Sequence, residues 1–348
     1  MSPKKTSVSY ASSGVNIDEA DAAKEKMESM LKSNDKRVLN QVGAFASLFD
    51  GRFRGYKNPV LVLKTEEPGS KQKLAIDNDR VESICQDLVN HLLDDIIVMG
   101  ATPLSVQDCI VCGKLDKNVI TRIVQGMANA CKAQGCVLTG GETSEQPGII
   151  PAGTYILSAS VIGVVEKKNI IDGRKIRKGD CVLAVASNGL HTNGFSLARK
   201  LMKDDPKLAK KKVGRDTFLD AILKPHTCYY QAVRGLFKEK GLHGMAHITG
   251  SGIEGNLCRI LPKNVNAVID LSTLKILPIF KVIRDEADAP DSEMLRTYNM
   301  GVGLTLVVSR AARKRIMRSI RRQGHDCYEI GEVGLGDGNV TFAGNLDW

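Results

Sequence analysis

Cys136-Val137-Leu138-Thr139-Gly140-Gly141-Glu142-Thr143-Ser144-Glu145-Gln146-Pro147-Gly148 organises the reading of this chain. Cys136 to Leu138 is a short apolar strand, and the residues after it read as a loop. Paired glycines let backbone N–H groups approach a ligand closely. A carboxylate directly behind them, Glu142, suits a hard cation such as Mg²⁺. Gly140, Gly141 and Thr143 are therefore phosphate-site candidates, and Glu142 is a metal candidate. A tight surface turn that happens to carry acids is the competing reading.

Working upstream, Thr154 to Val165 is a long strand on the far side of the loop. Asp116 caps a helix with apolar positions Ile120, Ile123, Val124, Met127 and Cys131, closed by Gly135. Leu104 to Cys112 is a strand, in which Cys109 and Cys112 point to opposite faces and so make neither a zinc pair nor a redox motif. Asp77 to Met99 reads as a helix capped by Asp77 or Asn78 and ended at Gly100. Its stripe Val81, Ile84, Leu88, Leu92 continues to Asp95. That places a carboxylate on the core line, where it needs a cation or a basic partner. Asp94 falls off the stripe and is expected to be exposed or to stand behind the residues that hold the metal. His91 reads as a structural histidine. Pro59 to Thr65 is a buried strand ending in Glu66-Glu67-Pro68-Gly69-Ser70-Lys71, two acids, a turn and a lysine. Residues 15–50 give helical patterns broken at Gly43.

Downstream, the charged stretch 166–180 is the expected domain boundary. Cys181 to Ala186 is a strand leading into Ser187-Asn188-Gly189-Leu190-His191-Thr192-Asn193-Gly194 and a helix from Phe195. A loop at a helix N-terminus is a ready anion site, and His191 is a good acid–base at neutral pH. Pro225 to Lys238 reads as helical. Gly250-Ser251-Gly252-Ile253-Glu254-Gly255 spells GxGxxG, with Asp270 at ribose-acid spacing. Pro262 leaves little room for the helix a dinucleotide fold needs. His247, just before it, either faces the same site or packs.

The 348 residues, 43% hydrophobic and 25% charged, suit a two-domain globular protein. No apolar run is long enough to cross a bilayer, and the polar start is not that of a signal peptide. Nine cysteines read as free thiols in a reducing, cytoplasmic setting. The net charge of +10 lies largely in 199–215 and 310–322. Neither stretch interleaves aromatics, and Ala312, Ile316 and Ile320 have helical spacing, so a solvated helix face is expected rather than a nucleic-acid surface. Walker A, HExxH, GxSxG and kinase signatures are absent.

Taken in order, SYASSGVNID from Ser9, DDIIVMGATPL (94–104), CGKLD (112–116), LTGGETSEQPG (138–148), IGVVEKKNIIDG (162–173), SNGLHTNGFSLARK (187–200), HITGSG (247–252), MLRTYNMGVG (294–303) and GEVG at Gly331 resemble the phosphoribosylformylglycinamidine cyclo-ligase (AIR synthetase) family. The resemblance implies a two-domain α/β (α+β) subunit: a flexible 1–15, an ATP- and metal-binding domain over 16–168 that pairs its sheet with a second subunit, and an α/β domain over 169–348. It implies a homodimer using ATP and Mg²⁺ in purine biosynthesis. Formylglycinamidine ribonucleotide would be closed to aminoimidazole ribonucleotide, with ADP and phosphate released.

By the same resemblance Asp95, Glu142 and Glu66 are metal carriers and Lys71 a phosphate contact. Asn188, Gly189, Asn193 and Gly194 line the anion site beside His191, and His191 and His247 move protons. GxGxxG becomes the backbone turn of HITGSG. The chain departs from the family where GTDGVGTK reads Lys64-Thr65-Glu66-Glu67-Pro68-Gly69-Ser70-Lys71, where Asn-Asp reads Asp94-Asp95, and where TGGG reads Thr249-Gly250-Ser251-Gly252. Three readings follow: the active cyclo-ligase, a related ATP-using enzyme such as thiamine-monophosphate kinase, or a nucleotide-binding paralogue without turnover. Selenophosphate synthetase would need an early reactive cysteine, and the first here is Cys85.

Overall fold

In the computed structural model the described residues are 26, 31, 34–40 and 45–348. The expectations for 1–15, for SYASSGVNID and for most of the 15–50 helical pattern lie outside them.

Two sheets carry the fold. The first is four-stranded, with β1 (Pro59–Glu66), β2 (Thr102–Cys112), β3 (Val137–Glu145) and β4 (Tyr155–Glu166) in the order β1-β4-β2-β3. β4 is antiparallel to both β1 and β2, while β3 runs parallel to β2. The parallel pair needs a crossover, and α3 (Lys117–Gln134) supplies it. Its ends follow the capping rules: the Asp116 carboxylate accepts from the N–H groups of Asn118 and Val119, and Gly135 closes it at φ 75°.

α1 (Lys71–Asp77) and α2 (Val81–Ile97) precede β2. Alternation along the strands sends Val106, Ile110, Leu157, Ala159 and Val161 into the core beneath α2 and α3. The opposite face carries Leu61, Leu63, Ile156 and Ile162 in the open, at 50%, 68%, 40% and 38% exposure.

The second sheet has six strands: β5 (Cys181–Ala186), β6 (Leu242–His247), β7 (Val265–Asp270), β8 (Val302–Val308), β9 (Cys327–Leu335) and β10 (Val340–Ala343). Their order is β10-β7-β9-β5-β8-β6, antiparallel except for β10 beside β7. The GxGxxG segment follows β6, an edge strand antiparallel to its neighbour, and opens a helix of only six residues, Gly252–Leu257. It is no dinucleotide-binding unit, which needs parallel strands around a full helix. The basic helix Arg313–Arg322 buries Ala312, Ile316 and Ile320 along one line and exposes most of its cations, as its spacing predicts.

Three expectations about elements change. β3 continues through Gly140, Gly141 and Glu142 as a strand, because pairing with β2 continues through residue 145. Asp77 and Asn78 do not cap α2: Asp77 ends α1, the Asn78 amide donates to the Leu74 carbonyl, and Asp79 turns the chain at φ 55°. Residues 225–238 hold only a four-residue helix, Tyr230–Val233, and a 3₁₀ turn. The preceding backbone N–H groups of His226 and Tyr229 donate instead to Asp87 and Asp94 of α2.

α2 is buried on two sides, which is why its stripe misleads. Val81, Ile84, Leu88 and Leu92 are buried in the core that α2 shares with the first sheet and α3. A second, polar line of Asp87, Asn90, His91, Asp94 and Asp95 has the same helical spacing and meets the second half of the chain. Lys71 is fully buried. Its ammonium donates to Asp87 Oδ1 (2.8 Å), the His191 carbonyl (2.9 Å) and the Lys224 carbonyl (2.7 Å). Asp87→Ala removes the only charge that compensates this ammonium among the bonds just given. It should cost about 3–5 kcal/mol in urea unfolding. Lys71→Met/Asp87→Leu together should cost clearly less.

Candidate active site

The site lies where the polar line of α2 meets the loops after β5 and β6. β5 ends at Ala186, and the following loop turns at His191, whose φ is 60°. A side chain rarely accepts this left-handed conformation unless its surroundings fix it. Ser187 and Asn299 hold the loop: the Ser187 hydroxyl donates to Asn299 Oδ1, and the Asn299 amide donates to the Gly189 carbonyl. Gly303 on β8 must be glycine, since a Cβ there would collide with the Tyr229 hydroxyl and the His191 ring. β6 ends at His247.

Four of the six histidines thus gather in one buried cluster, His91, His191, His226 and His247. The rings of His191 and His226 stack at 3.9 Å, and His226 Nε2 lies 3.0 Å from His247 Nε2. His247 Nδ1–H donates to Asp95 Oδ1 at 2.8 Å. Asp95 Oδ2 lies 3.1 Å from Lys64 Nζ, which also meets Glu66 Oε1 at 2.7 Å.

Burial works against charge on both Asp95 and His247, yet their mutual hydrogen bond prevails. It holds the Asp95 carboxyl well below the usual range and lifts His247 above 6.5. Burial, with the charge on His247, lowers His91 to about 4. Burial also keeps His191 and His226 well below 6.5. It pushes Asp94 up to about 7, against the nearby His247 and the N–H of Tyr229.

Glu66 and Asp95 converge on one cation position, now held by the Lys64 ammonium. Two carboxylates are hard oxygen donors of the kind that hold Mg²⁺. Glu142 does not join them. Glu66 pairs across with Ala159, then Asp108, then Gly141, so Glu142 sits at the opposite edge of the sheet, three strand spacings or about 14 Å away. Glu142 and Glu66 cannot share an ion within one chain.

The glycine pair has a different use from the one its sequence suggests. A Cβ on Gly141 would collide with Asp108, a buried carboxyl pushed up to about 7 by burial and the nearby Glu142. Gly140, at φ 136°, and Thr143 lie on the same strand. Lys71 is no free phosphate contact, because all three of its donors are committed within the core.

The second loop keeps its anion-site character. Gly194, at φ 76°, starts α4 (Phe195–Asp204), and no side chain caps that end. The N-terminus opens on a cleft of about 360 Å³ lined by Ser70, Thr192, Asn193, Gly194, Ser196 and Glu293, among others. Asn188 is turned away, donating to the Pro225 carbonyl. Gly189 serves the loop itself, its carbonyl accepting from the Asn299 amide and sharing the single Ser187 hydroxyl proton with Asn299 Oδ1.

The AIR synthase related protein family matches this chain with its N-terminal domain at residues 53–165 and its C-terminal domain at 177–343. A phosphoribosylformylglycinamidine cyclo-ligase of Chromobacterium violaceum is 41% identical over 94% of this chain and 95% of its own length. The chain belongs to the phosphoribosylformylglycinamidine cyclo-ligase family. Another member, from Alkaliphilus metalliredigens, is 37% identical over 98% of both chains.

Solved structures share the fold. HypE of E. coli superimposes with a TM-score of 0.68 at 15% identity, over 93% of this chain and 94% of that one. The hydrogenase maturation protein HypE in complex with ATP gives 0.67 at 15% identity, over 95% and 92%. The family resemblance and the α/β (α+β) fold it implies therefore hold. Among the described residues no helix is long and apolar enough to cross a membrane.

His226 and Asp87 have no role in the sequence reading, and Lys64 enters it only as the first residue of the altered loop. Of the two positions open to Asp94, at the surface or behind the metal-holding residues, the surface one is excluded: it is fully buried, accepting the Tyr229 N–H at 2.8 Å. The available signal was the polar periodicity at 87, 91 and 94. His226 and Lys64 carry no local signal.

Imidazole NMR titration should find His247 protonated above pH 6.5 while His91, His191 and His226 are already neutral. The stabilisation from the raised His247 is full below pH 6.5 and is lost as pH rises through its folded value. The Asp95 contribution is lost in the opposite direction, as pH falls through its depressed value. Asp95→Asn should bring His247 below 6.5.

Proposed function

We propose that this chain closes formylglycinamidine ribonucleotide to 5-aminoimidazole ribonucleotide, using ATP and releasing ADP and phosphate, in purine biosynthesis. One observation carries the proposal: nearly the whole chain matches enzymes named for this cyclo-ligation at 37–41% identity. The ATP complex of a protein with the same fold supports the choice of nucleotide.

Phosphorylation of the amide oxygen makes that oxygen a leaving group. A nitrogen of the same molecule then attacks the activated carbon, and phosphate departs. Such chemistry asks the protein mainly for positioning and charge neutralisation. Asp95 and Glu66 would hold Mg²⁺, which neutralises phosphate charge when bound. The N–H groups at the start of α4, with Asn193 and Gly194, suit a phosphate. Asp95 is part-exposed and bonded to the raised His247, so this pair suits the movement of a proton at His247 Nε2. His191 stands behind it, fully buried. Gly140, Gly141, Thr143 and Glu142, far from this pair, would serve the nucleotide only from the other edge of the sheet.

We infer further that the subunit is a homodimer joined through the open face of the first sheet. Four exposed aliphatic side chains, Leu61, Leu63, Ile156 and Ile162, lie on neighbouring strands there. A cytoplasmic location suits nine free cysteines.

The deciding assay follows aminoimidazole ribonucleotide and phosphate together from formylglycinamidine ribonucleotide, ATP and Mg²⁺. Equal amounts of both are expected, with kcat lowered at least roughly 10²-fold in Asp95→Asn. Folded protein that binds ATP but makes neither would refute the activity and favour the non-catalytic reading. In sedimentation, the unmodified chain should run as a dimer and Leu63→Glu as a monomer; a monomeric unmodified chain would remove the dimer.

A further inference from the structure

We propose that His191, His226 and His247, with Asp94 as an oxygen donor, bind one transition-metal dication of the zinc class in the core of the interface between the two halves. This goes beyond the ring-closing reaction; a metal on His247 Nε2 and the proton movement at that atom are alternative states of the chain.

One ring nitrogen from each of the three histidines lies within 4.8 Å of the others, and all three residues are buried. Two of the rings lack ordinary partners. Neither nitrogen of His191 has a hydrogen bond, and His226 Nδ1 has none. A buried ring nitrogen left in this way calls for a ligand, which the metal supplies at His191; His226 joins through Nε2, not through its unpartnered Nδ1. His226 Nε2 faces His247 Nε2 at 3.0 Å, so a proton or a metal must lie between the two lone pairs.

Ligands on one tetrahedral zinc ion, each about 2.0–2.1 Å from the metal, stand about 3.3 Å apart; because the His191 and His226 rings stack 20° from parallel, one of them must also rotate about its Cβ–Cγ bond to aim both nitrogens at one ion. His247 is already oriented as a ligand: its Nδ1–H donates to Asp95, leaving Nε2 to the site, the outer arrangement usual for a metal-bound imidazole. Asp94 Oδ2 lies 3.4 Å from His226 Nε2, and its other neighbour there is the Cys228 thiol, a weak donor.

Three imidazoles and a carboxylate favour Zn²⁺, Co²⁺ or Fe²⁺ over Mg²⁺, which prefers an oxygen shell. The Mg²⁺ position at Glu66 and Asp95 shares no proposed ligand with this site. Loading exchanges the proton on the His226–His247 nitrogen pair, and any proton on the Asp94 carboxyl, for the metal and releases them to solvent.

The test uses the purified full chain, stripped with a chelator and titrated with Co²⁺ in the absence of ATP and Mg²⁺. One Co²⁺ per chain with the visible absorption of a tetrahedral ion is expected, bleached by one equivalent of Zn²⁺. His226→Gln and His191→Gln should each weaken binding by more than the roughly 10–100-fold typical of losing an outer-shell partner. His325→Gln, outside the triad, should not.

Zn²⁺ added to the unmodified protein should shift the imidazole ¹⁵N signals of His191, His226 and His247 and leave those of His243 and His325 in place. This readout holds even if a variant fails to fold. No binding, an octahedral spectrum, or shifts confined to His243 and His325 would overturn the site. Because every readout is metal binding, its failure is separate from failure of the cyclo-ligase assay.

Discussion

The Lys71 ammonium is the constraint on which the site depends. It has no contact with water and needs three acceptors in fixed places. Asp87 supplies one from α2, and the backbone carbonyls of His191 and Lys224 supply the others from two separate loops of the second half. Asp87 Oδ1 also accepts the His226 N–H. One buried charge therefore sets the distance between α2 and the two chain segments that carry His191 and His226. A hydrophobic residue of similar size would fill the space without specifying those directions.

The same helix end solves a second problem. Asp94 and Asp95 sit in the last turn, where the helix dipole disfavours negative charge. Asp94 meets it by accepting the Tyr229 N–H and by being drawn towards neutrality through burial. Asp95 meets it with cations: His247 on one oxygen and Lys64 on the other. Adjacent carboxyls thus acquire opposite character from their surroundings, one poised near neutral pH and one firmly ionised. Such separation is a usual property of sites that handle protons and metals.

The open face of the first sheet and the polar line of α2 are complementary results of one architecture. A sheet covered on one face by two helices leaves its other face, with Leu61, Leu63, Ile156 and Ile162, open among the described residues. A helix that covers the sheet still has a back, and here that back is polar because it meets loops whose N–H groups need acceptors.

Strand positions, the α3 caps, the basic helix and the family itself follow from sequence, because period, capping residues and ordered motifs are local properties. Asp95 was legible because it extends an apolar stripe. Asp94 was not, since a one-sided helix would expose it and only the packing of a second half on α2 buries it. The glycine pair at 140 and 141 looks like a loop until β2 pairs with it and Asp108 needs the space. Lys71 has the same sequence neighbours whether it meets phosphate or protein. Its three acceptors are 16, 120 and 153 residues away along the chain. The histidine cluster joins residues from 91 to 247. Contacts at that separation have no signature in local spacing, so only the tertiary structure decided them.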